Sequence, residues 1–380
     1  MKDGHKLDGV GHKAARAPIG TCQISFLRLF PVPNIYYGKK YSHLLSCMLR
    51  FYLKNGGMAL ILKTRGVSLE RERLEVLLRR LPKTHALYKD AKEDYYNDSA
   101  GIGGEQRFDD YVASSRLPYP HIFLHNVSLR SFQAFQLDSL MITPWCLYIF
   151  EVKNMSGRLR FQQSPLQLIQ TKDDGSVIGR KSPIEQIDTN EWLLDEWLRA
   201  SGVYMPLRSV LVLSYPKQIP ENVPDTHTIL FSHQLPMFLN KLRSESAVTD
   251  LSEMAKLANK ILAAHSDYVP KPICSNPAYP LQAMIRGVWC VACGRIGMKR
   301  TYGTWLCPFC GESDKHAHVQ AIQDWHRLTG GPITNRMCRE VLQIEDRHLA
   351  KRLLRDMDLK KKGTFKGAKY VLEASCSYRL

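Results

Sequence analysis

Long hydrophobic runs are missing from this chain of 380 residues. A bilayer-spanning helix needs roughly 18 apolar residues in succession. The best stretch, residues 44–62, is broken by Arg50, Lys54, Asn55 and two glycines. No membrane protein is expected. The start, polar and mixed from Lys2 to Ala17, also lacks the layout of a signal peptide. Cysteine is thin, ten in 380 residues, which excludes a disulfide scaffold. Four of the ten have metal spacing, so a soluble protein of the reducing cytoplasm is expected. Acidic residues are outnumbered, 36 Asp and Glu against 53 Lys and Arg, and the net charge of +17 favours a polyanionic partner, DNA above all, although such an excess also keeps a chain soluble. The Gly101-x-Gly-Gly run follows a helical pattern and lacks the Gly-Lys-Ser/Thr ending of a phosphate loop, which argues against nucleotide binding.

What is present is enough apolar material for a sizeable core, 44% of residues, at a length that predicts two or three domains. The richest stretch is Cys146-Leu-Tyr-Ile-Phe-Glu-Val-Lys153. Residues two apart in a strand share a face, so Glu151 and Lys153 project together, away from Tyr148, Phe150 and Val152. Residues 135–142 alternate likewise, with Gln136 and Asp138 on one face and Leu137, Ser139 and Met141 on the other. Thr143-Pro144-Trp145 reads as a turn. The two arms form a hairpin that can bring Asp138 beside Glu151 and Lys153. Such a group suits phosphodiester hydrolysis, with hard carboxylate oxygens on a cation and an ammonium to neutralise charge on the phosphate. The same pattern suits a structural salt bridge between Asp138 and Lys153.

Gly-Gly-Glu105, Asn126, Gln136-Leu-Asp138, Glu151-Val-Lys-Asn154 with Gly157, and Pro183 with Gln186 follow one another in order. This ordered set, over roughly residues 98–215, resembles the nuclease-related domain family (NERD) of the PD-(D/E)xK nuclease superfamily. The middle residue of the Gln136-Leu-Asp138 motif is Leu137 where relatives usually carry Ile. The resemblance implies an α/β fold with a mixed sheet flanked by helices. It makes Asp138 and Glu151 ligands of Mg²⁺ or Mn²⁺, helped by the Val152 carbonyl. Lys153 would position or activate the water, Glu105 would add an acidic group from the first helix, and Gln186 would orient the site from the second.

Around this core, Leu69, Leu74, Leu77, Leu78 and Leu81 predict a helix ended by Pro82. A polar helix over residues 86–96 and a break at 97–101 follow. Residues 170–180 read as a polar loop turning at Asp174-Gly175. Ser182-Pro-Ile-Glu185 predicts a boxed helix start that sets Gln186 and Asn190 on one face, and residues 209–214 predict a buried strand. The expected divisions are a basic extension at 1–57, a helical lead-in at 58–97, the nuclease-like domain at 98–266, a Pro-rich linker at 267–285, a zinc ribbon at 286–315 and a winged-helix-like domain at 330–380. Residues 1–57 carry nine Lys or Arg against two Asp and read either as a basic arm or as an extension ahead of Met58.

Cys290-x-x-Cys293 and Cys307-x-x-Cys310, thirteen residues apart and each followed by glycine, predict a tetrahedral Zn²⁺ site resembling a zinc ribbon. His316 and His318 are expected to face solvent. Arg295, Lys299, Arg300, Tyr302 and Trp305 between the knuckles would suit a nucleic acid. Residues 333–342 and 346–356 read as two helices and 360–372 as two short strands, together a winged helix-turn-helix. Arg347, Lys351, Arg352 and Arg355 on its recognition helix and Lys366 on its wing are the expected DNA contacts. The function read here is Mg²⁺-dependent endonucleolytic cleavage of DNA. A non-catalytic DNA-binding or regulatory factor is the alternative, and an RNA-processing factor a third.

Overall fold

The computed structural model describes residues 60–242, 246–357, 359–364 and 367–371, all within the compact unit Tyr36–Leu380. The expectations for residues 1–57 and for Lys366 lie outside the described residues.

Strand β1 (Ile61–Lys63) leads to helix α1 (Leu69–Arg80). Ser68 caps α1 by accepting from the Arg71 N–H, Glu70 and Glu72 lie in its first turn, and Arg79 and Arg80 lie in its last, which matches the helix dipole at both ends. Helix α2 runs from Tyr88 to Ser114 without the expected break at 97–101. Glycine weakens a helix, but tertiary contacts override it here. Arg71 donates to Ser99 Oγ and Tyr95 OH, and Phe108 and Val112 are fully buried further along.

Then come β2 (Ile122–Arg130), β3 (Ala134–Ile142), β4 (Leu147–Lys153), β5 (Arg158–Gln163), β6 (Leu166–Thr171), β7 (Val177–Arg180), α3 (Pro183–Ala200), β8 (Leu207–Leu213), β9 (Ile219–Glu221), β10 (Thr228–Phe231), α4 (Leu235–Lys241) and α5 (Leu251–Ala264). The main sheet has the order β1-β2-β3-β4-β8-β10, antiparallel within β2-β3-β4 and parallel elsewhere. One face packs Leu124, Leu140 and Ile149 against Leu194 of α3 and Ile261 of α5. The other packs Phe123, Phe150 and Val212 against Phe108 of α2 and Leu239 of α4. With each buried side chain of this size contributing ~1.5–3 kcal/mol, the sheet is fixed from both sides.

Residues 170–180, expected as a loop, instead complete a second sheet of order β7-β6-β5-β9, with Asp174-Gly175 as the turn between β6 and β7. Ser182 occupies the N-cap of α3, but its side chain makes no capping bond. Pro183 and the dipole-matched Glu185 start the helix without it.

The C-terminal part holds β11 (Val288–Trp289), β12 (Ile296–Thr301), β13 (Thr304–Leu306), β14 (Ser313–Asp314), α6 (Ala317–Thr329), β15 (Ile333–Thr334), α7 (Asn335–Leu342), α8 (Arg347–Arg355), β16 (Lys360–Lys362) and β17 (Lys369–Val371). Strands β11 to β14 form one antiparallel sheet, and β15-β17-β16 another. Both lie on one core, in which Val288, Trp305, Trp325, Leu342, Leu354 and Tyr370 belong together. Helix α6, at residues assigned to neither expected domain, supplies the middle of that core. Thr334 and Asp346 cap α7 and α8.

Residues 267–285, expected as a linker, also pack. Ile273 and Met284 are buried with Val76 and Leu77 of α1, Leu81 just beyond it and Leu328 of α6. Arg79 and Arg80 close the junction on Asp324, at 2.5 and 2.7 Å, with Arg80 and Asp324 at 2% and 1% exposure. Arg80 also donates to the Gly287 carbonyl, and Arg327 pairs with Glu72. Among the described residues no helix is long and apolar enough to cross a membrane.

Candidate functional site

The β2-β3 ladder pairs His125 with Ser139 and Val127 with Leu137, and between these pairs Asn126 takes a left-handed φ of +49°. The pleat changes face there. Leu137 packs with Leu140 and Ile142 on one side of the sheet, while Met141 packs on the other, so the expected shared face of Leu137, Ser139 and Met141 is corrected. Strands β3 and β4 pair only as far as Ser139 with Phe150. The next positions are Asp138 and Glu151, which the register sets opposite each other. In place of a ladder bond, the Asp138 carboxylate accepts from the Val152 N–H at 2.9 Å.

Glu151, 1% exposed, accepts from the Lys153 ammonium at 2.5 Å, and Lys153 donates onward to Gln186 Oε1 at 3.0 Å. Lys153 thus pairs with Glu151, not with Asp138. Pro183 at the start of α3 puts Gln186 within reach, and Asn190 one turn on donates to the Gln136 carbonyl. The second Glu151 oxygen, Oε2, is buried with no hydrogen-bond partner. Burial, then the negative charge of Asp138, pushes Glu151 up to about 8. Burial works against the Lys153 ammonium, but Glu151 and Asp138 outweigh it and hold its pKa above the ordinary lysine value. A hard divalent cation fits this donor set, because it would satisfy the unpartnered Oε2 and lower the repulsion between the carboxylates.

Glu105 reaches this end of the sheet because α2 crosses it closely at Gly104, where a Cβ would lie 2.4 Å from Ser214 Oγ and 2.7 Å from Asn154 Cβ. The Asn154 side chain donates to the Ala100 carbonyl of the same helix. Glu105 does not join Asp138 and Glu151 around one point. Its carboxylate is held at 3.0 Å by Arg65, and burial with the Asp138 charge raises its pKa to about 7 despite that guanidinium.

Arg65 was not marked by any motif. It follows edge strand β1, and it also binds Asp109 at 2.9 Å, Asn126 Oδ1 at 2.8 Å and Ser139 Oγ at 3.3 Å. Nearby, the buried Lys63 ammonium donates to the His125 and Asn126 carbonyls, satisfying the backbone where the pleat breaks. Lys63 shows in the sequence only as a basic residue closing the apolar run Leu60-Ile-Leu62, and Arg65 not even so.

In the C-terminal part the four sulfurs of Cys290, Cys293, Cys307 and Cys310 lie within 4.8 Å of one another. Each pair sits on a tight turn closed by Gly294 N–H on the Cys290 carbonyl and Gly311 N–H on the Cys307 carbonyl, with both glycines at positive φ. The cluster can hold a metal ion, and four thiolates so placed match a tetrahedral demand. His316 is exposed as expected. His318 is not: it is buried, accepts from Trp305 Nε1 at 3.2 Å and is pushed down to about 4 by burial. Trp305 is likewise a core residue, so it is unavailable for stacking on a nucleic acid.

Arg347, Lys351, Arg352 and Arg355 are all exposed on α8, opposite the buried Ala350, Leu353 and Leu354.

Residues 100–214 match the nuclease-related domain family, NERD, and this segment is a nuclease-related domain. It contains Glu105, Asp138, Glu151, Lys153 and Gln186, whereas Arg65 precedes it. No curated protein and no solved structure matches the chain.

Proposed function

We propose that the chain, carrying a nuclease-related domain at residues 100–214, is a DNA-binding, Mg²⁺-dependent endonuclease. The observation that carries this reading is the facing of Asp138 and Glu151 where the β3-β4 ladder ends, with Glu151 Oε2 buried and unpartnered beside the Lys153 ammonium. Asp138 and Glu151 would hold Mg²⁺ or Mn²⁺, and the Val152 carbonyl is the third oxygen assigned to it. When bound, the cation supplies charge neutralisation and a more acidic water. Lys153, kept charged by its two carboxylate neighbours and aimed by Gln186, takes up negative charge developing on the scissile phosphate. Glu105, ion-paired with Arg65, would add an acidic group from α2 at the edge of the site.

The four cysteines would hold Zn²⁺ as a zinc ribbon. The order helix α6, strand β15, helices α7 and α8, hairpin β16-β17 is that of a winged helix-turn-helix, with α8 in the position of a recognition helix. Arg347, Lys351, Arg352 and Arg355 on α8 would meet phosphates or base edges, and salt would weaken that binding steeply. The C-x-x-C pairs, spaced for a metal rather than for a disulfide scaffold, favour a reducing compartment such as the cytoplasm.

The test is cleavage of supercoiled plasmid with Mg²⁺ or Mn²⁺, beside Glu151→Ala and Lys153→Ala. Metal-dependent nicking by the wild type, lost by at least about a hundredfold in both variants, is expected. An intact plasmid together with a salt-sensitive gel shift in all three proteins would leave a non-catalytic DNA-binding factor in its place.

A further inference from the structure

Helix α1, the start of α2 and the four-cysteine sheet meet around a groove of about 690 Å³, within the size range of ligand clefts. Its aromatic lining comes from three separate elements: Tyr88 and Tyr95 of α2, Trp289 of β11, and Phe309 of the second knuckle. Lys83 and Arg295 supply its cations, while Arg79, which also lines it, is already paired with Asp324. The acid in the lining, Glu75, is paired with Arg71 at 3.3 Å. Guanidinium groups lie over several of the rings, Arg79 at 4.3 Å from Trp289, Arg71 at 4.8 Å from Tyr95 and Arg295 at 5.1 Å from Phe309. Phe309 is nevertheless 53% exposed, so part of its ring is open to the groove.

We infer that this groove binds a single-stranded nucleic-acid segment, with bases against the rings and phosphates along Lys83 and Arg295. Rings interleaved with cations are the lining that stacks unpaired bases and neutralises their backbone, and a duplex keeps its π-faces to itself. The lining's net positive charge complements a polyanion. Tyr95 and Glu105 belong to the same helix, about 15 Å apart along its axis, so a strand in the groove would run near the acidic end of the main sheet. This inference rests on the reading of the chain as a nucleic-acid-binding protein, but not on cleavage.

Fluorescence anisotropy on the full, zinc-loaded chain without added Mg²⁺ tests it, using labelled oligothymidine, oligouridine of equal length and a blunt DNA duplex. Phe309→Ala, and separately Lys83→Glu with Arg295→Glu, should weaken binding of the tighter single strand about tenfold, while duplex affinity stays within about twofold. Phe309→Tyr keeps a ring and should keep affinity. Whichever single strand binds more tightly tells DNA from RNA. Unchanged single-strand affinity in the variants overturns the inference, as does an equal loss on duplex, which would indicate a general electrostatic surface. Should Phe309→Ala lose its metal and fail to fold, the charge-reversal pair decides. Failure of plasmid cleavage leaves these outcomes untouched.

Discussion

His125 sits beneath the candidate site with its ring 1% exposed, between Ser139 and Asp109. Burial first, then the charges of Arg65 and Lys63, lowers its pKa from 6.5 to about 3. The folded chain therefore keeps it neutral, and only the unfolded chain takes up this proton between those two values. Its contribution to stability is fully present above pH 6.5 and is lost as pH falls through about 3. The difference in urea-unfolding free energy between wild type and His125→Asn should thus change with pH inside that window, by at most about 1.4 kcal/mol per pH unit, and be flat above it. A flat difference throughout would mean that the ring takes up its proton at the same pH in the folded and the unfolded chain. At this scale Asp138, Glu151, Lys153 and Gln186 were legible because strand alternation and a proline-started helix fix where each side chain points. Arg65 was not, since its partners are brought to it only by the crossing of α2 over the sheet.

Helix α2 carries three glycines with opposite demands. At Gly104 an added Cβ would press on Ser214 and Asn154, so Gly104→Ala should destabilise by about 1–3 kcal/mol through overpacking. Gly103 has nothing within 4 Å of where its Cβ would stand. Gly103→Ala should stabilise by about 0.5–1 kcal/mol, because alanine lowers the entropy cost of the helix. Thermal melts of the two variants check both signs, and a loss at Gly103 equal to that at Gly104 would contradict the close approach. Sequence pattern anticipated α1, α3 and the β3-β4 hairpin, where leucine periodicity, a helix-starting proline and strand alternation mark them, although Ser182 makes no capping bond. It misplaced a break in α2 because three glycines outweigh local propensity while the packing of Phe108 and Val112 is invisible locally. It missed β7 because an exposed edge strand, with Val177 66% exposed, has no buried face to produce a pattern.

Helix α1, ahead of the nuclease-related segment, and the C-terminal part are joined by buried charge as well as by apolar contact. Asp324, 1% exposed, answers both Arg79 and Arg80, and Arg80 is itself 2% exposed. Removing one partner of such a pair strands the other without solvent, at about 3–5 kcal/mol. Asp324→Ala should therefore lower overall stability by that order and separate the melting of the four-cysteine part from that of the α/β domain in calorimetry. A single unshifted transition would show that the apolar contacts of Ile273, Met284 and Leu328 suffice. The strength of this junction was not legible, since the proline-rich stretch 267–285 reads as a spacer and the ion pair spans 244 positions.

That span also orders events while the chain is being made. Helix α1 leaves the ribosome early, with two arginines whose counter-charge has yet to be translated. At common elongation rates Asp324 follows on the order of ten to fifty seconds later. Through that interval the Arg80 face must stay hydrated. The nascent protein therefore holds an open, cationic helix until its last quarter emerges, and truncation before residue 324 leaves it open for good.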